Sequence, residues 1–380
     1  GAEIFIMIHG LGYFLNVYRV LGEKKKPRLD NAHPPELTDF PEVAIVVSSF
    51  KEPLSVVEDT LVCFYNLTYP RKRIYFLDDT RYDQTGWTEE ESSQYKKDID
   101  ALCARIGVDL FRRRWRGAKA GMINDFLHFL DGSPPEGFTF TSNSQQGRPG
   151  GEKYIIVFDA DMNPLPNFVQ PLLAWMEANP ELAFIQTPQY YINFEHNRVA
   201  KAAGLQQAVF YEYICEGKSE QDAMFCCGTN VIFRRRALRE VGGFDESSVT
   251  EDFATSLKFH AHGWQSAYVN KVLAFGLGPE DLGGYFKQQF RWSLGTVGLL
   301  RPICRHLLHN PRLLPPAKWW EYLLSGTHYL VGWVMLVLFL CPMLYLGFNV
   351  PTYFARPELY FMVYFPYVVL SLTIFAWTLS

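Results

Sequence analysis

Tyr154-Ile155-Ile156-Val157-Phe158-Asp159-Ala160-Asp161 is the stretch from which the fold is read. Five β-prone apolar residues form a strand signal, and two carboxylates one residue apart follow at once. The same pattern recurs along the chain. Val43 to Ser48 is an apolar strand followed by Glu52, Pro53 and a helical pattern through Tyr65, and Arg73 to Leu77 is a strand ending in Asp78 and Asp79. Leu182 to Thr187 reads as a fourth. Strands that alternate with helices and end in polar residues predict an α/β sheet with its site at the carboxyl ends of the strands. The polar, acidic segment Thr85 to Gln94 and the Gly-, Pro- and Ser-rich segment Ser133 to Lys153 are expected to be surface loops.

Length and charge narrow the class. The 380 residues allow one large domain plus accessory elements, and a net charge of -4 does not suggest a nucleic-acid partner. With 30 Phe, 21 Tyr and 9 Trp the chain is rich in rings, which suit sugar platforms and lipid boundaries alike. Seven cysteines without a C-x-x-C pair argue against a disulfide framework and for a reducing compartment; the adjacent Cys226 and Cys227 cannot easily bridge.

Three apolar runs have the length of a membrane span: Glu3 to Leu21, Tyr329 to Leu346 and Tyr360 to Leu379. Lys24, Lys25 and Lys26 follow the first, and Arg301, Arg305, Arg312 and Lys318 precede the second. Positive charge is retained inside, so the region from about 30 to 320 is expected in the cytosol, with the lipid bilayer as a partner. The competing reading is a buried helical core. Because the chain starts and stops at such runs, it is expected to be part of a longer protein. Its divisions are read as 1–26 for the first span and its exit, 40–284 for the catalytic domain, 285–325 for interfacial helices and 326–380 for the remaining spans.

Several short motifs carry chemistry. Asp159 and Asp161 offer two hard oxygen ligands suited to Mg²⁺ or Mn²⁺ beside a diphosphate, although a lone D-x-D also arises by chance in loops. Asp78-Asp79 would present further acids to the same cleft, or form a solvated turn. Lys119 follows the cationic run Arg112, Arg113, Arg114 and Arg116 and precedes Gly121 and Asn124, a setting for a phosphate-bearing donor or simply a solvated charged face. Thr250-Glu251-Asp252 opens an amphipathic helix with Thr250 as N-cap; Asp252 is either a general base or a partner of the helix dipole. Gln288, Arg291 and Trp292 share a helix face, as acceptor contacts or as lipid anchors.

In order, Asp78-Asp79, Asp159-Ala160-Asp161, Thr250-Glu251-Asp252 and Gln288-x-x-Arg291-Trp292 resemble the D, D-x-D, T-E-D, Q-x-x-R-W series of cellulose synthase and related family 2 synthases, over roughly residues 43 to 300. Ser49-Phe50-Lys51-Glu52-Pro53 resembles the T-Y-N-E-P segment that receives uracil, with Phe for Tyr and Lys for Asn; Ala118-Lys119-Ala120-Gly121 resembles A-K-A-G near the donor diphosphate. Gln186-Thr187-Pro188 matches Q-T-P, and Phe225-Cys226-Cys227-Gly228-Thr229 resembles F-F-C-G-S near the acceptor end. The resemblance implies a GT-A fold with a mixed, mostly parallel sheet, a UDP-sugar donor, a growing polysaccharide acceptor, accessory subunits and inverting displacement. It implies donor contacts at Ser49, Phe50, Glu52, Asp79, Lys119, Asp159 and Arg291, with metal at Asp159 and Asp161. It further implies acceptor contacts at Cys227, Gly228, Gln288 and Trp292, and catalysis by Asp252 with Glu251 and Thr250. T-E-D favours β-glucan synthases, 1,4- or 1,3-linked, over hyaluronan and chitin synthases. A non-processive lipid-linked sugar transferase and a degenerate transporter or scaffold are the alternatives. The family's F-x-V-T-x-K gating segment, and its regulatory signal of R-x-x-x-R with a downstream D-x-S-x-x-G, have no match up to Ser380.

Overall fold

The computed structural model describes residues 1–22, 29, 33–82, 86–351 and 356–379; Lys24, Lys25, Lys26 and Thr85 lie outside them. At its centre β1 (Val43–Ser49) is flanked in parallel by β2 (Lys72–Asp78) and, further along the chain, β5 (Tyr154–Asp159). β3 (Asp109–Arg112) continues the sheet beyond β2 and β4 (Thr139–Thr141) closes that edge antiparallel. On the other side β9 (Val231–Arg234) runs antiparallel between β5 and β7 (Leu182–Gln186), and β10 (Gln265–Tyr268) is parallel to β7. The eight-stranded order is β10-β7-β9-β5-β1-β2-β3-β4. A small sheet joins β6 (Met162–Pro164), β8 (Tyr190–Tyr191) and β11 (Ala274–Gly276) in the order β6-β11-β8.

The period of two in β1 divides the core. Val43, Ile45 and Val47 pack with α2 (Leu54–Tyr65), α3 (Glu89–Ile106) and α5 (Val169–Ala178). Ala44 and Val46 face α4 (Ala118–Leu130), α8 (Arg235–Glu240) and α9 (Glu251–Ala261). Both faces are covered, which is why these strands read as unbroken apolar runs. The parallel register sets Ser48 opposite both Leu77 and Asp159, so Ser49, Asp79 and Asp159 finish at one edge. Because β9 is antiparallel, its amino end, preceded by Gly228 to Asn230, lies at that same edge.

Two expectations need correction. The segment Thr85 to Gln94 is not all loop: α3 starts at Glu89, where Thr88 Oγ1 accepts from the Glu91 N–H at 3.2 Å and the Glu91 carboxylate accepts from the Thr88 N–H at 2.8 Å. This reciprocal cap, with Glu89, Glu90 and Glu91 against the helix dipole, makes a helix of a stretch whose polarity reads as loop. The long Ser133–Lys153 connection also contributes β4.

Among the described residues, three helices are long and apolar enough to cross a membrane: α1 (Ala2–Leu21), α13 (Leu330–Phe348) and α14 (Pro357–Leu379). None of α13 is buried within the protein, the reverse of a core helix, whereas Phe14 and Val17 of α1 pack with Ile374 of α14. Between β8 and β9 run α6 (Arg198–Val209), a π-helical turn Phe210–Cys215 and α7 (Glu216–Ser219). After β11 come α10 (Leu282–Gly298), α11 (Leu300–His309) and α12 (Pro316–Thr327). Glu321 of α12 ties the membrane helix to the domain: Arg19 of α1 reaches one carboxylate oxygen at 2.6 Å and Lys218 of α7 the other at 2.9 Å.

Candidate active site

Lys119 lies at the middle of the carboxyl edge. Its ammonium donates to Asp159 Oδ1 and, at 2.9 Å, to the Gly228 carbonyl. Burial works against its charge, but Asp159, Glu251 and Asp252 outweigh burial and raise its pKa. One cation therefore collects a strand end, the loop before β9 and the start of α9.

The carboxylates around it repel one another in a partly dry cleft. Asp161 is pushed up to about 6 by burial and then by Asp159, with Glu52 adding to the effect. Glu52 is raised by burial and by Asp159. Two acids held above their ordinary range beside a third carboxylate suit a site that takes up a counter-charge. Among the described residues no cluster of three metal-ligating side chains exists, so a cation beside Asp159 and Asp161 would draw its remaining ligands from water or a bound diphosphate. Two carboxylates with water and diphosphate oxygens fit Mg²⁺ or Mn²⁺.

Asp252, in the first turn of α9, accepts from the Phe253 N–H at 2.8 Å through Oδ1. Oδ2 faces Gly228, where a methyl group would stand 3.2 Å away, and Gly228 has φ +82. A side chain there would be strained and would crowd the free oxygen. Burial first, and Glu251 second, lift the Asp252 carboxyl to about 7, within the range of a general base. Thr250 holds the N-cap position but makes no side-chain cap, contrary to expectation; its hydroxyl lies 3.3 Å from Ser248 Oγ instead.

Behind the acid, α9 is well anchored. Ser256 Oγ accepts from the Cys226 N–H and donates to the Asp252 carbonyl, both at 2.8 Å. Phe253 stacks on Tyr322 of α12, with ring centres 5.5 Å apart. His260 lies between Tyr322 OH at 2.6 Å and Ser266 Oγ at 2.9 Å. Ser266 Oγ donates its hydrogen to the Met224 carbonyl, so His260 Nε2 donates to Ser266 and Nδ1 accepts from Tyr322. Burial keeps His260 neutral, consistent with that pattern.

The Cys227–Thr229 loop is held by Gln186, whose Oε1 accepts from the Cys227 N–H at 2.8 Å while its amide donates to the Thr229 carbonyl at 2.7 Å. Thr229, not assigned a role from sequence, accepts from the Asp159 N–H at 2.9 Å. Tyr191 was likewise missed. Its hydroxyl accepts from Gln207 at 2.7 Å, lies in hydrogen-bonding contact with Gln288, and is close enough to Asp161 to sense its charge. The only signal was its place after Gln186-Thr187-Pro188.

On the donor side, Ser49 is buried at the end of β1 and Phe50 is half exposed next to the Arg81 guanidinium. Asp79 is buried 3.3 Å from Arg113 and is lifted to about 7, chiefly by burial. Asp78 does not present to the cleft: it accepts from Arg112 at 2.6 Å and Tyr82 OH at 2.7 Å. Three of the four arginines in the run are already paired with carboxylates, whereas Arg114 is exposed and makes no ion pair among the described residues. Arg112 also binds Asp100, Arg113 binds Asp125 at 3.0 Å, and Arg116 binds Asp125 and Glu246. Asn124 is structural as well, donating to the Phe244 carbonyl and Glu246.

α10 is two-faced. Leu282, Phe286, Phe290 and Leu294 recur every fourth residue and are exposed, forming an apolar stripe. The opposite face carries Gln288 and Trp292, both half-buried, and the exposed Arg291, which makes no ion pair among the described residues.

Comparison with known proteins follows the same lines. Residues 44–242 match the family model described as "Glycosyl transferase family 2" and residues 154–379 that described as "Glycosyl transferase family group 2". The chain is 30% identical over 351 residues to "Cellulose synthase 2" of Novacetimonas hansenii, covering 89% of this chain and 19% of the relative. It is 29% identical over 346 residues to "Cellulose synthase catalytic subunit [UDP-forming]" of Pseudomonas fluorescens (strain SBW25), covering 88% and 41%. The chain thus spans less than half the length of either relative. Among solved structures, the mannosyltransferase PcManGT of Pyrobaculum calidifontis, in complex with GDP-Man and Mn²⁺, superposes with TM-score 0.64 at 17% identity, covering 99% of this chain and 93% of that one. That likeness shows the GT-A fold.

Proposed function

The chain belongs to the family 2 glycosyltransferases, and on that premise we propose that it is the membrane-embedded catalytic core of a processive β-glucan synthase using UDP-glucose. The observation that carries the reading is the convergence on Lys119 of Asp159 and of Asp252 with its free Oδ2, beside the helix of Gln288, Arg291 and Trp292.

In this reading Asp159 and Asp161 hold Mg²⁺ or Mn²⁺, which neutralises charge on the leaving diphosphate when bound. Ser49, Phe50 and Asp79 receive the nucleobase end, Phe50 by stacking, while Glu52 and Lys119 face the diphosphate. Asp252 takes the proton of the acceptor hydroxyl. The acceptor oxygen bonds to the anomeric carbon as the bond from that carbon to the phosphate oxygen breaks, and the nucleoside diphosphate departs with inversion. Trp292 stacks under the terminal sugar, Gln288 and Arg291 orient acceptor and pyrophosphate, and Cys227 and Gly228 line the acceptor end. Glu251 keeps Asp252 basic by repulsion, and Thr250 leads into both. The apolar stripe on α10 and the three long apolar helices support catalysis at a bilayer; the proposal further puts the catalytic domain in the cytoplasm, sends the polymer out across the membrane and adds accessory subunits.

The test is radiolabelled UDP-glucose with membrane vesicles carrying the protein, followed by linkage-specific glucanases. Polymer digested by a β-glucanase supports the reading. No polymer with any UDP-hexose overturns the synthase, and a single added sugar replaces it with a non-processive transferase.

A further inference from the structure

We propose that Gly295 is a positioning residue, the point at which the acceptor helix α10 seats on the base-bearing segment and thereby sets the distance from Gln288 and Trp292 to Asp252. The inference rests on the reading of Asp252 as the base.

The argument starts from a helix-interior glycine, which is disfavoured against alanine unless something requires it. At Gly295 the requirement is contact. A methyl group there would meet Thr250 Oγ1 at 2.6 Å and the Thr250 backbone nitrogen at 2.8 Å, with Cγ2 closer still. A side chain can rotate away, but the backbone nitrogen cannot, because Thr250 is the N-cap residue of the well-anchored α9. Carbon atoms rest about 3.5–4.0 Å from their neighbours, so a methyl group would drive the two segments apart by about 1 Å.

The direction of that displacement matters. Gly295 follows Gln288 by seven residues, Arg291 by four and Trp292 by three, the spacing of one helix face. The face that meets Thr250 is therefore the face bearing the acceptor side chains, and Thr250 lies two residues before Asp252. Moving α10 outward would move Gln288, Arg291 and Trp292 away from Asp252 and the pyrophosphate while leaving the nucleoside end of the donor edge at β1 and β2 in place. Gly298, three residues on in the same helix, faces open space, and nothing lies within 4 Å of a methyl group built on it.

A misplacement of about 1 Å costs on the order of 100-fold in rate. Gly295→Ala is expected to lower kcat for polymer synthesis by about that factor, with affinity for UMP, which lacks the pyrophosphate that Arg291 faces, held within about twofold by calorimetry. Gly298→Ala is expected to match the wild type in both. If Gly295→Ala is as active as Gly298→Ala, or if its kcat and UMP affinity fall together, the positioning role is overturned. Asp252→Asn run alongside separates the two layers of argument. An active Asp252→Asn removes the base reading and this inference with it; an inactive Asp252→Asn with an unimpaired Gly295→Ala removes the inference alone.

Discussion

Replacing Asp252 by asparagine keeps the shape of the side chain and deletes its basicity. The amide oxygen can still accept from the Phe253 N–H, and the amide nitrogen fits where Oδ2 faces Gly228, because glycine leaves that side open. What is lost is the group that receives the acceptor proton. General-base catalysis contributes about 10²–10⁴-fold, equivalent to about 3–5 kcal/mol of transition-state stabilisation, and polymer synthesis is expected to fall by that amount. UDP affinity should hold, since removing a carboxylate beside Glu251 relieves repulsion toward an incoming diphosphate. The pH profile adds an independent readout. Burial and Glu251 raise the Asp252 carboxyl to about 7, so the fold favours the protonated, inactive form and the base appears only as pH rises through that value. Wild-type kcat/KM should therefore decline as pH falls below about 7, and the residual rate of the variant should lack this limb. The assay is incorporation of radiolabelled glucose by protein in lipid nanodiscs, with UDP binding followed by calorimetry. A variant rate within about threefold of wild type, or a parallel collapse of UDP affinity, refutes the assignment.

Chelation with EDTA should abolish synthesis, Mg²⁺ or Mn²⁺ should restore it, and Asp161→Ala should lose Mn²⁺ binding by paramagnetic resonance; metal-independent transfer would contradict the two-carboxylate site. Trp292→Ala should shorten the products on a sizing column while leaving transfer detectable, and an unchanged length distribution would remove Trp292 from the acceptor path. Glu321→Ala would leave the buried Lys218 and the half-buried Arg19 around a missing carboxylate, at a cost of about 3–5 kcal/mol seen as a lower melting temperature in detergent. An unchanged melting temperature there would mean that α1 is not held through this carboxylate.

The sequence reports most reliably what is set locally or by strict period. Val43–Ser49, Lys72–Asp78 and Tyr154–Asp159 fall within a residue of expectation because burial on both faces demands unbroken apolar runs. What escaped is pairing between distant residues. Arg112, Arg113 and Arg116 look like a phosphate cradle in a row, yet their partners Asp78, Asp125 and Glu246 come from a strand end, a helix interior and a loop, and charge compensation of that kind has no short-range signature. Gly295 reads as an unremarkable helix residue until Thr250 is seen against it. Asp159 and Gly228 lie 69 positions apart in the chain and share one ammonium, and a single pairing explains how. β9 runs antiparallel to β5, so the residues entering β9 must emerge where β5 ends. The motif order thus marks which acids to test, whereas one reversed strand determines that the Gly228 loop and the D-x-D turn meet over Lys119.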